Sequence, residues 1–368
     1  MKLLLKSFLI VLLSFTFSCS VSQDIKKEFS VKENQNKGSA KLLIGATLNY
    51  EELNTQKEEY YLKYFKYLTP ANSAKQTKVH PEPNVWDWKE IDEFIKFANQ
   101  NKLVLRLHGP ISPQASKWAK EDYRTPTELE TNLVEFATAF AQHFNNESCV
   151  KWMDVVNETI LADGTWFGPK PGTGEWENPW LKMGLDENGF PLYILKAFEI
   201  ATKNAPNIKL VYNQNVGMES AMWDKVKETV LYIRKKGYRV DGIGWQAHLL
   251  LGAKREDFVN NTDATMAKLA DLIDWAHQNN LAFHVTELDY LVKDTTQLES
   301  ERQIQKMVYQ KLVDVLLSKS KNGEVTLNLW DISERAKKGT GVFQSIYDFK
   351  YNPTPAYDVI MKALENSK

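Results

Sequence analysis

Cysteine is nearly absent from this chain. Two residues, Cys19 and Cys149, occur in 368, so a disulfide-stapled scaffold is excluded and the fold has to rest on its core. Neither sign of charge dominates. Lysines plus arginines number 46 against 47 acids, a formal net charge of -1, which removes the electrostatic case for nucleic acid as a partner. No apolar run reaches the length of a spanning helix. Gly-x-Ser-x-Gly, Gly-x-x-x-x-Gly-Lys and His-Glu-x-x-His are missing, so serine-hydrolase, phosphate-cradling and zincin chemistry have no local signature. Gly242-Ile-Gly244 has no third glycine and reads as part of a tightly packed strand. His80, His143, His277 and His284 are scattered and read as surface or core residues rather than ligands. No cofactor and no metal is implied.

What is present is a 43% hydrophobic chain rich in aromatics, with 11 tryptophans and 15 tyrosines, long enough to bury one large core. Residues 1–19 carry Lys2 and Lys6, then the apolar run Phe8 to Phe17, the pattern of a secretory signal. Ser18-Cys19 resembles a bacterial lipoprotein processing site, with Thr16 where such sites usually carry an apolar residue. Export is therefore expected, with membrane attachment through a lipidated Cys19 at the outer membrane or cell surface; ordinary cleavage would instead release a periplasmic or secreted product. Residues 20–40 are polar and aperiodic, as in a flexible tether. Cys149 then stands alone as a small core residue.

From Lys41 to Lys368 short apolar runs alternate with longer stretches whose apolar residues recur at three- and four-residue spacing. The strand candidates are Leu42–Leu48, Tyr64–Leu68, Leu103–Leu107, Trp152–Val156, Lys209–Tyr212, Gly242–Gln246, Phe283–Thr286 and Val325–Leu329. Helices are predicted at about 51–63, 88–101, 126–144, 191–204, 221–236, 263–279, 299–319 and 355–366, with Asp263 as a candidate cap for the sixth. Strand then helix, eight times without a linker, predicts an α/β fold of the (β/α)8 TIM-barrel type in one catalytic domain.

Active sites in such barrels lie at the carboxyl ends of the strands. Reactive side chains fall there: Asn72 and Lys75 after the second strand, His108 after the third, Asn157 and Glu158 after the fourth, Asn213 after the fifth, Gln246 and His248 after the sixth, Glu287 and Asp289 after the seventh, Trp330 after the eighth. The loop Asp163–Gly189 adds Trp166, Phe167, Trp176 and Trp180, a candidate wall for a cleft. Ending an apolar strand in a carboxylate is costly unless the charge is used or paired. Two such glutamates suggest glycosidic hydrolysis, in which one carboxyl protonates the leaving oxygen and the other attacks or activates water. Rim salt bridges are the alternative reading for each alone.

Val155-Val-Asn-Glu158 and Val285-Thr-Glu-Leu-Asp289 resemble the two catalytic motifs of glycoside hydrolase family 10, the retaining endo-β-1,4-xylanases. Thr69-Pro-Ala-Asn72 with Lys75, Trp86-Asp-Trp88, Gly242-Ile-Gly-Trp-Gln-Ala-His248, Leu329-Trp-Asp331 and Tyr351-Asn-Pro-Thr-Pro-Ala-Tyr357 are similar to other motifs of that family. The resemblance implies Glu158 as general acid/base, Glu287 as nucleophile, His248 orienting Glu287, and Asn157 holding the adjacent sugar hydroxyl. It further implies Asn72, Lys75, His108, Asn213, Gln246 and Trp330 as substrate-binding residues and a polysaccharide substrate; a monomer is expected.

The chain also departs from that pattern. Ala71 stands in place of a glutamate; Gly109-Pro-Ile-Ser-Pro113 replaces a tryptophan-histidine pair; Asn213-Gln-Asn215 lacks an aspartate and a tyrosine; Ser333-Glu-Arg335 lacks a tryptophan. Such losses point to a decorated xylan or another β-glycan, or to a glycan-binding surface lipoprotein without turnover.

Overall fold

The computed structural model describes residues 42–172, 174–251, 254–337 and 341–367. The expected signal, Cys19 and the tether lie outside the described residues.

Eight parallel strands close on themselves: Leu43–Leu48, Tyr67–Pro70, Val104–Leu107, Val150–Asn157, Lys209–Gln214, Gly242–Trp245, Ala282–Val292 and Val325–Leu329. Each pairs in parallel with the next, and the eighth returns to the first through Leu43 opposite Thr326 and Ala46 opposite Leu329. The (β/α)8 barrel expected from the sequence is the fold observed. The second strand starts at Tyr67 rather than Tyr64, because Tyr64 ends the preceding helix, Gln56–Tyr64. The seventh strand runs past the mouth to Val292, where Tyr290–Val292 pairs antiparallel with Val342–Gln344 and Asp289 and Tyr290 pair with His248–Leu249.

Local chemistry places the helices. Pro126–Phe144 starts at a capping box in which Thr125 accepts from the Glu128 N–H and Glu128 accepts from the Thr125 N–H, with Pro126 in the first turn. Its buried face, Leu129, Leu133, Phe136, Phe140 and Phe144, repeats at helical spacing against the barrel. The helix expected at 263 begins instead at Thr262 after Asn261, and Asp263 pairs with Lys311 rather than capping it. Trp86 and Trp88 serve packing, stacked on His80 and His143. Cys149 is buried and unpaired. No described helix is long and apolar enough to cross a membrane.

Inside the barrel, Tyr67, Trp152 and Val211 form a small apolar plug. Above it lies a buried charge cluster. Arg106 donates to Asp154 through Nε at 2.9 Å and through a second, shorter bond from its terminal nitrogen. Both side chains are sealed from solvent.

Candidate active site

Both glutamate-bearing strands carry an extra residue close to their carboxylate. In the fourth strand, Asp154 and Val156 pair with consecutive residues, Val211 and Tyr212, so Val155 is a bulge. In the seventh, Val285 and Leu288 face Leu327 and Leu329, again one residue too many. A bulge shifts the side-chain alternation by one and re-aims the side chains beyond it. Glu158 then adopts the left-handed backbone at φ 56°, a conformation that costs a non-glycine residue on the order of 1–3 kcal/mol and tends to occur at functional sites.

Glu287 is 3% exposed and surrounded by nitrogen. His248 Nε2 lies 3.1 Å from its Oε2, Asn213 donates to its Oε1 at 3.2 Å, and His108 Nε2 is 3.4 Å from the same oxygen. Burial alone would raise the carboxyl pKa. The attraction of His108, then of His248 and Lys75, overcomes burial and holds it down at about 2. His248 in turn has Nδ1 3.0 Å from Asp289 Oδ1. Against burial, Asp289 foremost and then Glu287 push the imidazole up to about 10, so it is a cation at neutral pH. Arg335 donates to the other Asp289 oxygen at 2.7 Å.

Glu158 sits in different company. Its Oε1 accepts from the amides of Gln246 at 2.8 Å and Asn157 at 3.2 Å; both donors are neutral. Asn213 links the two glutamates, donating to Asn157 Oδ1 at 2.8 Å as well as to Glu287. Its own carbonyl accepts from Thr286 at 3.0 Å. Gly244 makes this possible, since a Cβ there would fall on Asn213 Oδ1. The paired glycines of the sixth strand are therefore packing glycines.

A cleft of about 430 Å³ opens over these groups, lined by Asn72, Lys75, Glu158, Gln246, His248, Glu287 and Trp330 among the expected residues. Lys75 is buried, and burial draws its ammonium below the ordinary lysine value against the pull of Glu287 and Glu158. Trp330 stands edge-on to His108 at 5.2 Å and to His248 at 5.9 Å. The structure thus gathers all ten predicted residues at one mouth, in two layers. Seven line the cleft, and Asn157, Asn213 and His108 are buried against them, with Asn213 donating to Asn157 and Glu287 and His108 Nε2 lying 3.4 Å from Glu287.

Several residues that matter escape a reading of the sequence. Asp154 Oδ2 lies 3.0 Å from His108 Nδ1, so Arg106, Asp154, His108 and Glu287 form one buried chain. The available signal was a charge in the middle of each apolar strand, Leu-Arg-Leu and Met-Asp-Val. Lys57, 2.7 Å from Asp331, anchors the turn after Trp330. Of the loop aromatics, Trp176 lines the cleft, whereas Phe167 and Trp180 are buried and Trp166 packs on Phe190.

The sequence profile of glycosyl hydrolase family 10 matches residues 32–363. Endo-1,4-beta-xylanase A of Humicola insolens is 28% identical over 305 residues, 81% of this chain and 74% of that protein. Endo-1,4-beta-xylanase B of Thermotoga neapolitana is 27% identical over 311 residues, spanning 82% and 81%. Among solved structures, native xylanase 10B from Thermotoga maritima matches with a TM-score of 0.71 at 26% identity, covering 89% of this chain and 96% of that one. Penicillium canescens endo-1,4-beta-xylanase XylE shares the fold at a TM-score of 0.73 and 23% identity, over 89% and 96% of the two chains. With a barrel of this kind and a profile match across nearly the whole sequence, the chain belongs to glycosyl hydrolase family 10 and is a glycoside hydrolase.

Proposed function

We propose that this glycoside hydrolase is a retaining endo-glycosidase that cleaves β-1,4-linked xylan or a xylan-like chain, with Glu287 as nucleophile and Glu158 as acid/base. The observation that carries the assignment is the asymmetry of the two carboxylates. Glu287 is held ionised by His108, His248 and Lys75, as a nucleophile requires, while Glu158 is bonded by neutral amides only.

In the first step a Glu287 oxygen bonds to the anomeric carbon as the bond from that carbon to the glycosidic oxygen breaks, and Glu158 gives its proton to the departing oxygen. In the second, Glu158 takes a proton from water, the water oxygen attacks the same carbon, and Glu287 leaves as carboxylate. Two inversions return the starting configuration. Asn157, fixed by Asn213 and Gln246, holds the hydroxyl next to the reacting carbon.

Xylanase relatives support xylan as the backbone. Ala71 and Gly109–Pro113, where the family carries polar and aromatic residues, support a decorated rather than a plain chain, because lost hydrogen-bonding groups alter which hydroxyl patterns a site accepts. Reducing-sugar release from a panel of xylans and other β-glycans tests this, with NMR of the first-formed anomer. Release with retention is the expected result; binding without release from any glycan, or inversion, would sink the proposal. Export and lipidation at Cys19 belong to the same proposal and are checked by labelled fatty-acid incorporation in the native chain but not in Cys19→Ser.

A further inference from the structure

The segment after the third strand, Gly109–Pro113, lies low. Ile111 bridges Val156, its carbonyl takes the Asn157 N–H at 2.9 Å, and the segment is buried. The tryptophan that the family resemblance leads one to expect there is missing.

An aromatic ring reaches the same cleft from another loop. The long connection after Glu158 is tethered to the short helix Lys117–Lys120 and the turn beyond it. Lys120 Nζ donates to the Glu175 carbonyl at 3.1 Å, Gly172 N–H to Asp122 at 3.1 Å, and Lys182 Nζ to the Glu121 carbonyl at 3.3 Å. Glu177, on the other side of Trp176, is buried and accepts from the Lys170 N–H at 2.6 Å. Both neighbours of Trp176 are thus anchored, yet the residue stays 47% exposed. It lines the cleft with Glu158, Glu287, Asn72 and Gln114, and Lys120 Nζ lies 5.9 Å from its ring centroid. A large aromatic held half-exposed over a cleft by fixed flanks presents an apolar face to whatever the cleft binds.

We propose that Trp176 is a sugar-stacking subsite, supplied by the fourth-strand loop in place of the wall that the third-strand loop does not provide. Its ligand is a pyranose ring of a β-1,4-linked chain, with the apolar face on the indole and hydroxyls toward the amides of Gln114 and Asn72, which lie 3.4 Å apart. The subsite rests on the glycosidase reading above and deepens it.

The test compares xylohexaose kinetics of the native chain with Trp176→Ala, Trp176→Leu and Trp176→Phe, each checked for folding by calorimetric melting. Loss of a stacking face raises KM roughly tenfold in the Ala and Leu variants, more than it lowers kcat, while Phe stays within about threefold of native. The penalty shrinks as the oligosaccharide is shortened. Native-like KM in either Ala or Leu, or a Phe variant as impaired as Ala, would overturn the subsite. If the native chain turns over no glycan, the functional reading falls instead. Calorimetric titration with xylohexaose then decides the subsite: a Kd weaker by about tenfold in Trp176→Ala supports it and an equal Kd overturns it.

Discussion

His248 Nε2 lies 3.1 Å from Glu287 Oε2, and this contact, together with His108 and Lys75, keeps Glu287 in the charge state on which the proposed chemistry depends. With His248 replaced by Asn, Glu287 loses one of the cations that hold it at about 2, and its pKa rises toward the ordinary carboxylate value. The acid limb of kcat/KM against pH should then move to higher pH, and the maximum should fall. An unmoved acid limb would show that His248 does not govern Glu287.

The same pair makes stability depend on pH from both sides. Glu287, depressed from 4.5 to about 2, contributes stability above 4.5 that is lost as pH falls through 2. His248, raised from 6.5 to about 10, contributes stability below 6.5 that is lost as pH rises through 10. The melting-temperature difference between the native chain and a Glu287→Gln, His248→Asn double variant should be greatest and flat between pH 4.5 and 6.5. A difference that kept growing above about pH 7 would contradict this pairing.

Glu158→Ala should lower kcat on xylan about 10²- to 10⁴-fold, the usual worth of general acid catalysis. The loss should be much smaller for bond cleavage in an aryl glycoside whose leaving group needs no proton. Pre-steady-state release of the phenol separates the two steps, and equal losses on both substrates would remove Glu158 from the acid role.

Asp154→Asn leaves the Arg106 guanidinium buried with its partner charge gone. Breaking a buried pair on one side costs about 3–5 kcal/mol, to be read from the urea midpoint. A variant within about 1 kcal/mol of native would mean that the neutral amide satisfies Arg106 unaided.

Val216 borders the cleft at φ 70°, a conformation poorly suited to a β-branched residue. Asparagine tolerates that backbone, so Val216→Asn should stabilise the chain by about 1 kcal/mol in thermal melts. A loss of stability would show that the valine side chain packs for more than its backbone costs.

The barrel was legible because its elements are regular. Val325–Leu329 is observed at its predicted limits, and helices such as 126–144 appear where apolar spacing puts them. The positions of Glu158 and Glu287 at the barrel mouth were legible too, since each closes an apolar run, but the seventh strand, expected to stop at Thr286, continues to Val292. Arg106 and Asp154 were less so. A charge inside a strand looks like an exposed position until its partner is known, and these two partners stand 48 residues apart in sequence.

Hydrophobic period and strand order are one-dimensional properties. The residues alone therefore dictated the alternation of strand and helix, and with it which side chains would gather at the barrel mouth. The two layers of the site are a product of tertiary packing instead. The bulges at Val155 and between Val285 and Leu288 appear only in the pairing with neighbouring strands. They shift the side-chain alternation around Glu158 and Glu287, and the histidines and lysine that hold Glu287 ionised come from other strands and loops.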